Sequence, residues 1–441
     1  MMKKTAKTGI ALILSLSLLS ACSKEPATTG TGDAGKGTEK VKLSLWHNFT
    51  GEDARAKTMR AIIEEYKKAN PNVELEVQAI PPDGYKTRLK TVAAANEMPD
   101  LFQMWPGAMT KEFVSGNLLQ PVGDLLDKNA EWKNGFLPNS FDDFTVDGKV
   151  YSIPMSLSPT SILYYNKKMF DDNGVTVPKT WDEMMKAIET FKSKKITPIA
   201  LGNKAAWLAQ SSILSSLADR YTGTEWFMKA AAQDGAKFTD PEFVAALKAL
   251  QDLGKAGAFQ EGFNSIDNTQ MEQMFAQGKA AMMIDGGWAL TNLTNGAQPE
   301  ALNNIEVTVL PSVPNGKGDP KSLSGVVGIG LGLNKKVEGA KKEAADKLIQ
   351  AMAGPEAQKR TLESNQLVSY KVELDKSKVS TLFAKVNDLV GQVKRTPVYD
   401  SQLSSAASEV INNGIQELLM GGKPEDVAKK LQDAQAKSLG K

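Results

Sequence analysis

The chain has 441 residues, with 53 lysines and arginines against 51 aspartates and glutamates and a formal net charge of +2. That balance lacks the basic footprint that nucleic acid requires and gives no field for a strongly charged partner. With 41% hydrophobic and 24% charged residues the composition is ordinary globular, and about 400 ordered residues exceed a single core, so two lobes are expected.

The chain opens with Lys3, Lys4 and Lys7, an apolar stretch from Ile10 to Leu19, the small residues Ser20 and Ala21, and then Cys22. This is the order of a secretory signal peptide, assigned to residues 1–21. Its apolar stretch is shorter than the roughly 20 residues of a membrane-spanning helix. Cys22 is the only cysteine, so an exported chain has no disulfide framework, and the role left for the thiol is to carry lipid. One residue bearing two or three acyl chains anchors stably. The run LLSAC resembles the lipobox of bacterial lipoproteins, which implies cleavage before Cys22 and acylation of the thiol and the new N-terminus. Cleavage removes three lysines and no acids, taking the net charge from +2 to −1. Residues 22–40 are rich in Gly, Thr and Ala without a large apolar residue, cannot bury enough surface to fold, and read as a tether reaching about 25 Å. Ser23 is not the aspartate that retains lipoproteins on the inner membrane of Gram-negative cells. The expected location is therefore the outer face of the cell membrane of a Gram-positive bacterium.

Val41 to Leu45 alternates apolar and polar residues and ends at Trp46, which predicts a strand. Asp53 to Ala69 places Met59, Ile62, Ile63 and Tyr66 at helical spacing and stops at Asn70-Pro71. Val73 to Ile80 is a second strand, Tyr85 to Asn96 a helix and Asp100 to Met104 a third strand. Strand, helix, strand, helix, strand is the order of a parallel α/β sheet, whose ligands sit beyond the carboxyl ends of the strands. Trp46 and Trp105 fall there. Val150 to Met155, with Pro154, reads as a connection between lobes, and Ser161 to Tyr165 as a strand. Helices follow at Trp181 to Lys194, Trp207 to Arg220, Pro241 to Ala256 and Thr269 to Gln277. Strands are expected at Ala280 to Ile284, Ile305 to Leu310 and Val326 to Leu333. Helices at Glu338 to Ala353, Pro355 to Glu363, Ser401 to Met420 and Pro424 to Ala436 close the chain.

Several blocks, in this order, resemble the extracellular solute-binding proteins of ABC importers, the family that includes maltose-binding protein. They are LSLWHNFTG, NPNVELEV, MPDLFQMW, GKVYSIPMS, SILYYNKKMF followed by PKTWDEM, FAQGKAAMMIDGGW, VTVLPS and KPEDVAKKLQDAQ. Each block is weak alone; the fixed order is specific and covers nearly the whole mature chain. The resemblance implies an α/β, two-lobed periplasmic-binding-protein-like fold with ligand in the cleft between discontinuous lobes. The expected lobes are 41–152 with 286–335, and 153–285 with 336–441, closing near Pro154 and Gly286. It also implies a monomer that captures a carbohydrate, an oligosaccharide given the number of aromatics, and hands it to separate permease subunits. Neither a cofactor nor a metal is implied.

Sugar rings present C–H faces to aromatic rings and hydroxyls to planar polar groups, so a sugar pocket mixes the two. Trp46, Trp105, Tyr164, Tyr165, Trp207 and Trp288 all fall at expected strand ends or helix starts. Trp288 follows Asp285-Gly286-Gly287, a turn whose glycines allow close approach, and by resemblance it stacks on sugar. Alternation sends Tyr164 and Tyr165 to opposite faces, so one of them reaches the cleft. Core packing is the competing role for any of these rings; Trp181 is read as structural. The polar candidates are His47, Asn48 and Glu52 after the first strand, Asp285 at the turn, and Asp100, read as a strand-start cap. Ser324 and Gly325 occupy a position that lines the cleft in relatives.

A secreted carbohydrate-cleaving enzyme is the alternative, but no acid pair stands in a hydrolase motif. His47 is the only histidine, which removes most histidine-based triads and metal sites. A binding protein for a polyamine is the third reading, with Glu52, Asp100 and Asp285 as its carboxylates.

Overall fold

The computed structural model describes residues 40–441 apart from residue 139; the signal segment, Cys22 and nearly all of the tether lie outside the described residues. Two four-stranded sheets organise it. In the first, Val41–His47 pairs in parallel with Val73–Ala79 and Leu101–Met104, and Gly330–Leu333 closes the edge antiparallel to Leu101–Met104. Alternation along Val41–His47 buries Leu43 and Leu45 on one face and sends Trp46 to the other. Helix Ala54–Ala69 covers the Leu43 face with Met59, Ile62, Ile63 and Tyr66. Asp53 caps its N-terminus by accepting from the Ala56 N–H at 2.9 Å. Helices Pro82–Ala94 and Ala108–Ser115 cover the other face around Tyr85, Leu89, Phe102 and Phe113.

The second sheet runs in the order Ile305–Thr308, Ile162–Asn166, Ala280–Asp285, Thr197–Ala200. Only the last pair is parallel. Every residue of Ala280–Asp285 is buried, as expected of a strand covered by helices on both faces. Trp181–Ser193, started by a Thr180–Glu183 capping box, Pro241–Ala256, Ser405–Leu419 and Pro424–Ser438 build the surrounding core.

Two segments pack with the opposite partner from the expected division. Ile305–Thr308 pairs with Ile162–Asn166, and Ala289–Gly296 packs against Asn268–Ala276, so the chain stays with the second sheet well past residue 286. Helix Gly339–Ala353 instead lies on the first sheet through Ala345, Leu348, Ile349 and Met352. The Tyr66 hydroxyl donates to the Ala344 carbonyl at 2.7 Å. Pro355–Glu363 joins it, with Arg360 paired to Glu65 at 2.6 Å.

Three segments cross between the sheets side by side. Met155 N–H donates to Ile329 O at 2.8 Å, Thr160 N–H to Ser324 O at 2.7 Å, and Leu157 N–H to Leu367 O at 2.8 Å. The Ser369 hydroxyl ties all three by reaching Ser156 O and Val327 O at 3.1 and 3.2 Å. Pro154 lies on the first of these segments, bridged to Gly330. The return crossing runs through Ser324–Ile329 rather than through Gly286, which remains at the end of a second-sheet strand.

Candidate ligand-binding site

Strand Ala280–Asp285 delivers the chain to a turn, Gly286-Gly287, and then to Trp288, which caps helix Ala289–Gly296. The Gly287 N–H donates to the Pro159 carbonyl at 2.9 Å, so the turn is bonded to the first crossing segment. The Trp288 ring lies across Gly286, where a Cβ would fall inside the ring's van der Waals envelope. Only glycine allows that approach. Trp288 is half-buried and meets Trp207 edge-on, centroids 5.6 Å apart and planes at 63°. Trp207 follows Ala206, whose φ of +63° is unusual for a residue with a Cβ. It precedes a π-type turn, Ala209–Leu214, a helical irregularity frequent at functional sites. Two indoles, each with part of its surface exposed, therefore stand steeply inclined to each other, at 63°, beside the crossing strands.

The two tyrosines do point to opposite faces, but neither reaches the cleft. Tyr164 is fully buried, and its hydroxyl donates to the Gly286 carbonyl at 3.0 Å, propping the turn from behind. Burial, then the nearby Asp285, raises its pKa well above the usual value. Tyr165 packs edge-on against Phe170 at 5.2 Å, on the other side of the sheet beside Glu306. Asp285 is likewise fully buried. Its Oδ1 accepts from the Gly286 N–H at 2.7 Å, so it supports the turn and cannot touch a ligand. Ser324 is buried too, in a hydroxyl cluster with Thr160 and Ser161 at 2.9 and 2.8 Å; it builds the crossing rather than lining a cleft.

In the first lobe the strand ends bring Trp46, Asn48 and Trp105 together. The Tyr85 hydroxyl sits between them, 3.0 Å from both the Trp46 and Gln103 carbonyls. Its pKa is raised by burial far beyond the ordinary range. The Asn48 N–H donates to Gln103 Oε1 at 3.2 Å, and Gln103 Nε2 is buried without a partner. Each indole carries a cation: the Arg88 guanidinium lies 5.0 Å from the Trp46 ring and the Lys86 ammonium 4.7 Å from the Trp105 ring. Glu52 is well exposed and paired with Arg60 at 3.3 Å and Lys57 at 3.5 Å. Asp100 sits at the far end of its strand, accepting from Ser44 at 2.9 Å and facing Lys341 at 3.1 Å. His47 is buried, its Nδ1 accepting from the Phe49 N–H at 3.1 Å. Burial, with Arg60 and Lys67 adding to it, lowers its pKa to about 4, so it is neutral at pH 7.

Sequence reasoning missed the wall joining the two lobes. Lys86 reaches Asp400 at 3.9 Å, Lys111 donates to Gln402 at 3.3 Å, and the Ser405 hydroxyl donates to Glu112 at 2.6 Å. The neighbouring Tyr399 is anchored in the second core, its ring stacked 3.9 Å from Phe227. The segment TPVYDS has no helical or strand period, so its sequence carried no sign of this role.

A family model, bacterial extracellular solute-binding protein, matches residues 51–359. A solved structure from work on xylan utilization by the thermophilic bacterium Caldanaerobius polysaccharolyticus superposes with a TM-score of 0.80 and 32% identity. The match covers 89% of this chain and 99% of that one. A chitin oligosaccharide binding protein superposes at 0.84 with 27% identity, over 91% of this chain and 100% of that one. In sequence, the melibiose/raffinose/stachyose-binding protein MelE of Bacillus subtilis is 25% identical over 433 residues, 95% of this chain and 93% of that protein. The multiple sugar-binding protein of Streptococcus mutans is 28% identical over 293 residues, and this chain spans 65% of its length.

Proposed function

The chain belongs to the bacterial extracellular solute-binding proteins, and from that premise we propose that it is a lipid-anchored receptor that captures an oligosaccharide and delivers it to an ABC permease. The steeply inclined pair Trp207–Trp288 carries this reading. Two half-buried indoles inclined at 63° offer C–H-binding faces to successive, differently oriented sugar rings. Trp105 and Asn48 on the other lobe are the candidate partners across the cleft. Ligand closes the lobes about the three crossing segments because it binds the closed state more tightly than the open one. Cys22 holds the lipid, residues 22–40 form the tether, and the protein works as a monomer on the outer face of a Gram-positive membrane.

The polyamine alternative needs cleft carboxylates. Glu52 is instead turned to Arg60 and Lys57, Asp100 to Lys341, and Asp285 is buried. The charges stacked on the first-lobe indoles, Lys86 and Arg88, are cations. The hydrolase alternative needs two carboxylates open to substrate, and Asp285, with Glu272 of the adjacent helix Asn268–Ala276, has no exposed surface.

The test is thermal unfolding and calorimetry of the chain from Ser23 onward with xylotriose, chitotriose, raffinose and spermidine. A ligand present at 100 times its Kd stabilises the folded state by about 2.7 kcal/mol. A shift with one neutral sugar class is expected; a shift with spermidine alone, lost in salt, would overturn the sugar assignment. Trp288→Ala should weaken sugar binding by roughly 1–3 kcal/mol, the scale of one buried aromatic face.

A further inference from the structure

Directly behind the Trp288 turn lie two carboxyl groups with no exposed surface. Asp285 comes from strand Ala280–Asp285 and Glu272 from helix Asn268–Ala276. They stand within hydrogen-bonding reach of each other. Glu272 accepts from Asn268 Nδ2 at 3.3 Å and from Asn292 Nδ2 of helix Ala289–Gly296. Asp285 Oδ1 accepts from the Gly286 N–H, while its Oδ2 is buried without any donor. The groups acting on the pair most strongly are each other, Asp267 at the helix start, Tyr164 on strand Ile162–Asn166, the amides of Asn268, Asn292 and Gly286, and the buried Trp288 indole N–H, which faces Asp285 and works against its protonation; none is a cation. Two adjacent carboxylates in that setting would both be charged, unpaired and dry, a costly state. One proton resolves it. With Asp285 Oδ2 protonated and donating to Glu272, every oxygen of the pair has a role.

We propose that Asp285 and Glu272 share one proton, and that this hydrogen bond holds the Gly286–Trp288 turn in its sugar-binding position. Asp285 is thus a positioning residue, acting through Gly286, whose carbonyl Tyr164 holds from the other side. The proposal rests on the sugar-receptor reading only for its consequence in binding; the shared proton itself does not depend on it.

Burial first, then the charge of Glu272, pushes the Asp285 pKa well above the usual carboxylate range. In the unfolded chain the same group titrates near about 3.9. Between those values the folded protein holds a proton that the unfolded chain has lost, so this pair's contribution to stability falls as pH rises. Asp285→Asn fixes the protonated arrangement: its amide donates to Glu272 while its carbonyl still accepts from Gly286.

The experiment is unfolding of wild type, Asp285→Asn and Glu272→Gln without ligand across pH 4 to 9. The expected result is a difference in Tm, variant minus wild type, that grows more positive with pH, by at least about 2 °C. A difference that stays constant or becomes more negative would overturn the shared proton. Glu272→Gln removes the paired charge from the other side and should show the same trend if Asp285→Asn does not fold. Xylotriose, chitotriose and raffinose binding is then read at both pH extremes. Wild-type affinity for whichever of them binds should fall several-fold at high pH while that of Asp285→Asn stays level; parallel losses would separate the pair from the turn. If none of the three binds, the receptor reading fails while the Tm comparison still decides the proton.

Discussion

Gly286 shows how one residue type fixes the site. Because the Trp288 ring crosses its Cα, Gly286→Ala should displace the ring while leaving the strand before it intact. The expected cost is about 1–3 kcal/mol of stability, the usual range for overpacking, together with loss of sugar binding; unchanged binding would place the sugar elsewhere. Tyr164→Phe leaves the Gly286 carbonyl without its donor and should cost about 1 kcal/mol in denaturant unfolding. His47 supplies an opposite pH signature. It is neutral in the fold and titrates near about 6.5 when unfolded, so stability should drop as pH falls from there toward 4. The stability difference between His47→Gln and wild type should change by up to ~3 kcal/mol over that window. A flat difference would mean that His47 takes up its proton over the same pH range folded and unfolded. The DGGW turn was legible in sequence because glycines beside an indole announce close approach. The duty of Asp285 was not, since burial is a property of the packed helices around it and leaves no mark on neighbouring residues.

At the level of elements, most strands and helices assigned from their period fall where expected, but helices Ala108–Ser115, Thr224–Ala232 and Thr381–Gln392 went unassigned, and the assignment of elements to lobes failed. Period 2 in Val41–Leu45 and helical spacing in Asp53–Ala69 report which face is apolar, and the apolar faces are where the structure buries them. Neither period says which sheet a later helix will cover. Gly339–Ala353 follows strand Gly330–Leu333 directly, and that strand already lies at the edge of the first sheet, so the helix packs there before the chain crosses again. Leu348→Ala tests this partition. It should cost about 2–5 kcal/mol, as buried leucine truncations do. Hydrogen exchange should quicken in Val41–His47 while Ile162–Asn166 keeps its protection. Faster exchange in the second sheet alone would return this helix to the other lobe. The same limit explains the missed wall at Asp400: the aperiodic segment TPVYDS acquires its role only from what faces it.

For the whole molecule, the near-neutral net charge and the arrangement of fixed charges bear on what kind of ligand is taken. Lys86 and Arg88 occupy the first-lobe indoles, and Lys86 also faces Asp400 across the lobes at 3.9 Å, with both side chains partly exposed. An ion pair of this kind contributes about 0–1 kcal/mol and weakens as salt screens it. A neutral sugar that binds by ring stacking and neutral hydrogen bonds gains little from such charges. Its affinity should therefore change less than about threefold when salt is raised to about 1 M, where the screening length is roughly 3 Å. A charged ligand drawn by the same wall would lose affinity steeply, and the sign of its charge would tell which groups bind it: an anion points to Lys86 and Arg88, a cation to Asp400. A salt titration of xylotriose, chitotriose and raffinose binding thus separates stacking from charge as the source of affinity. A steep slope would move the recognition from the Trp207–Trp288 pair to the Lys86–Asp400 wall.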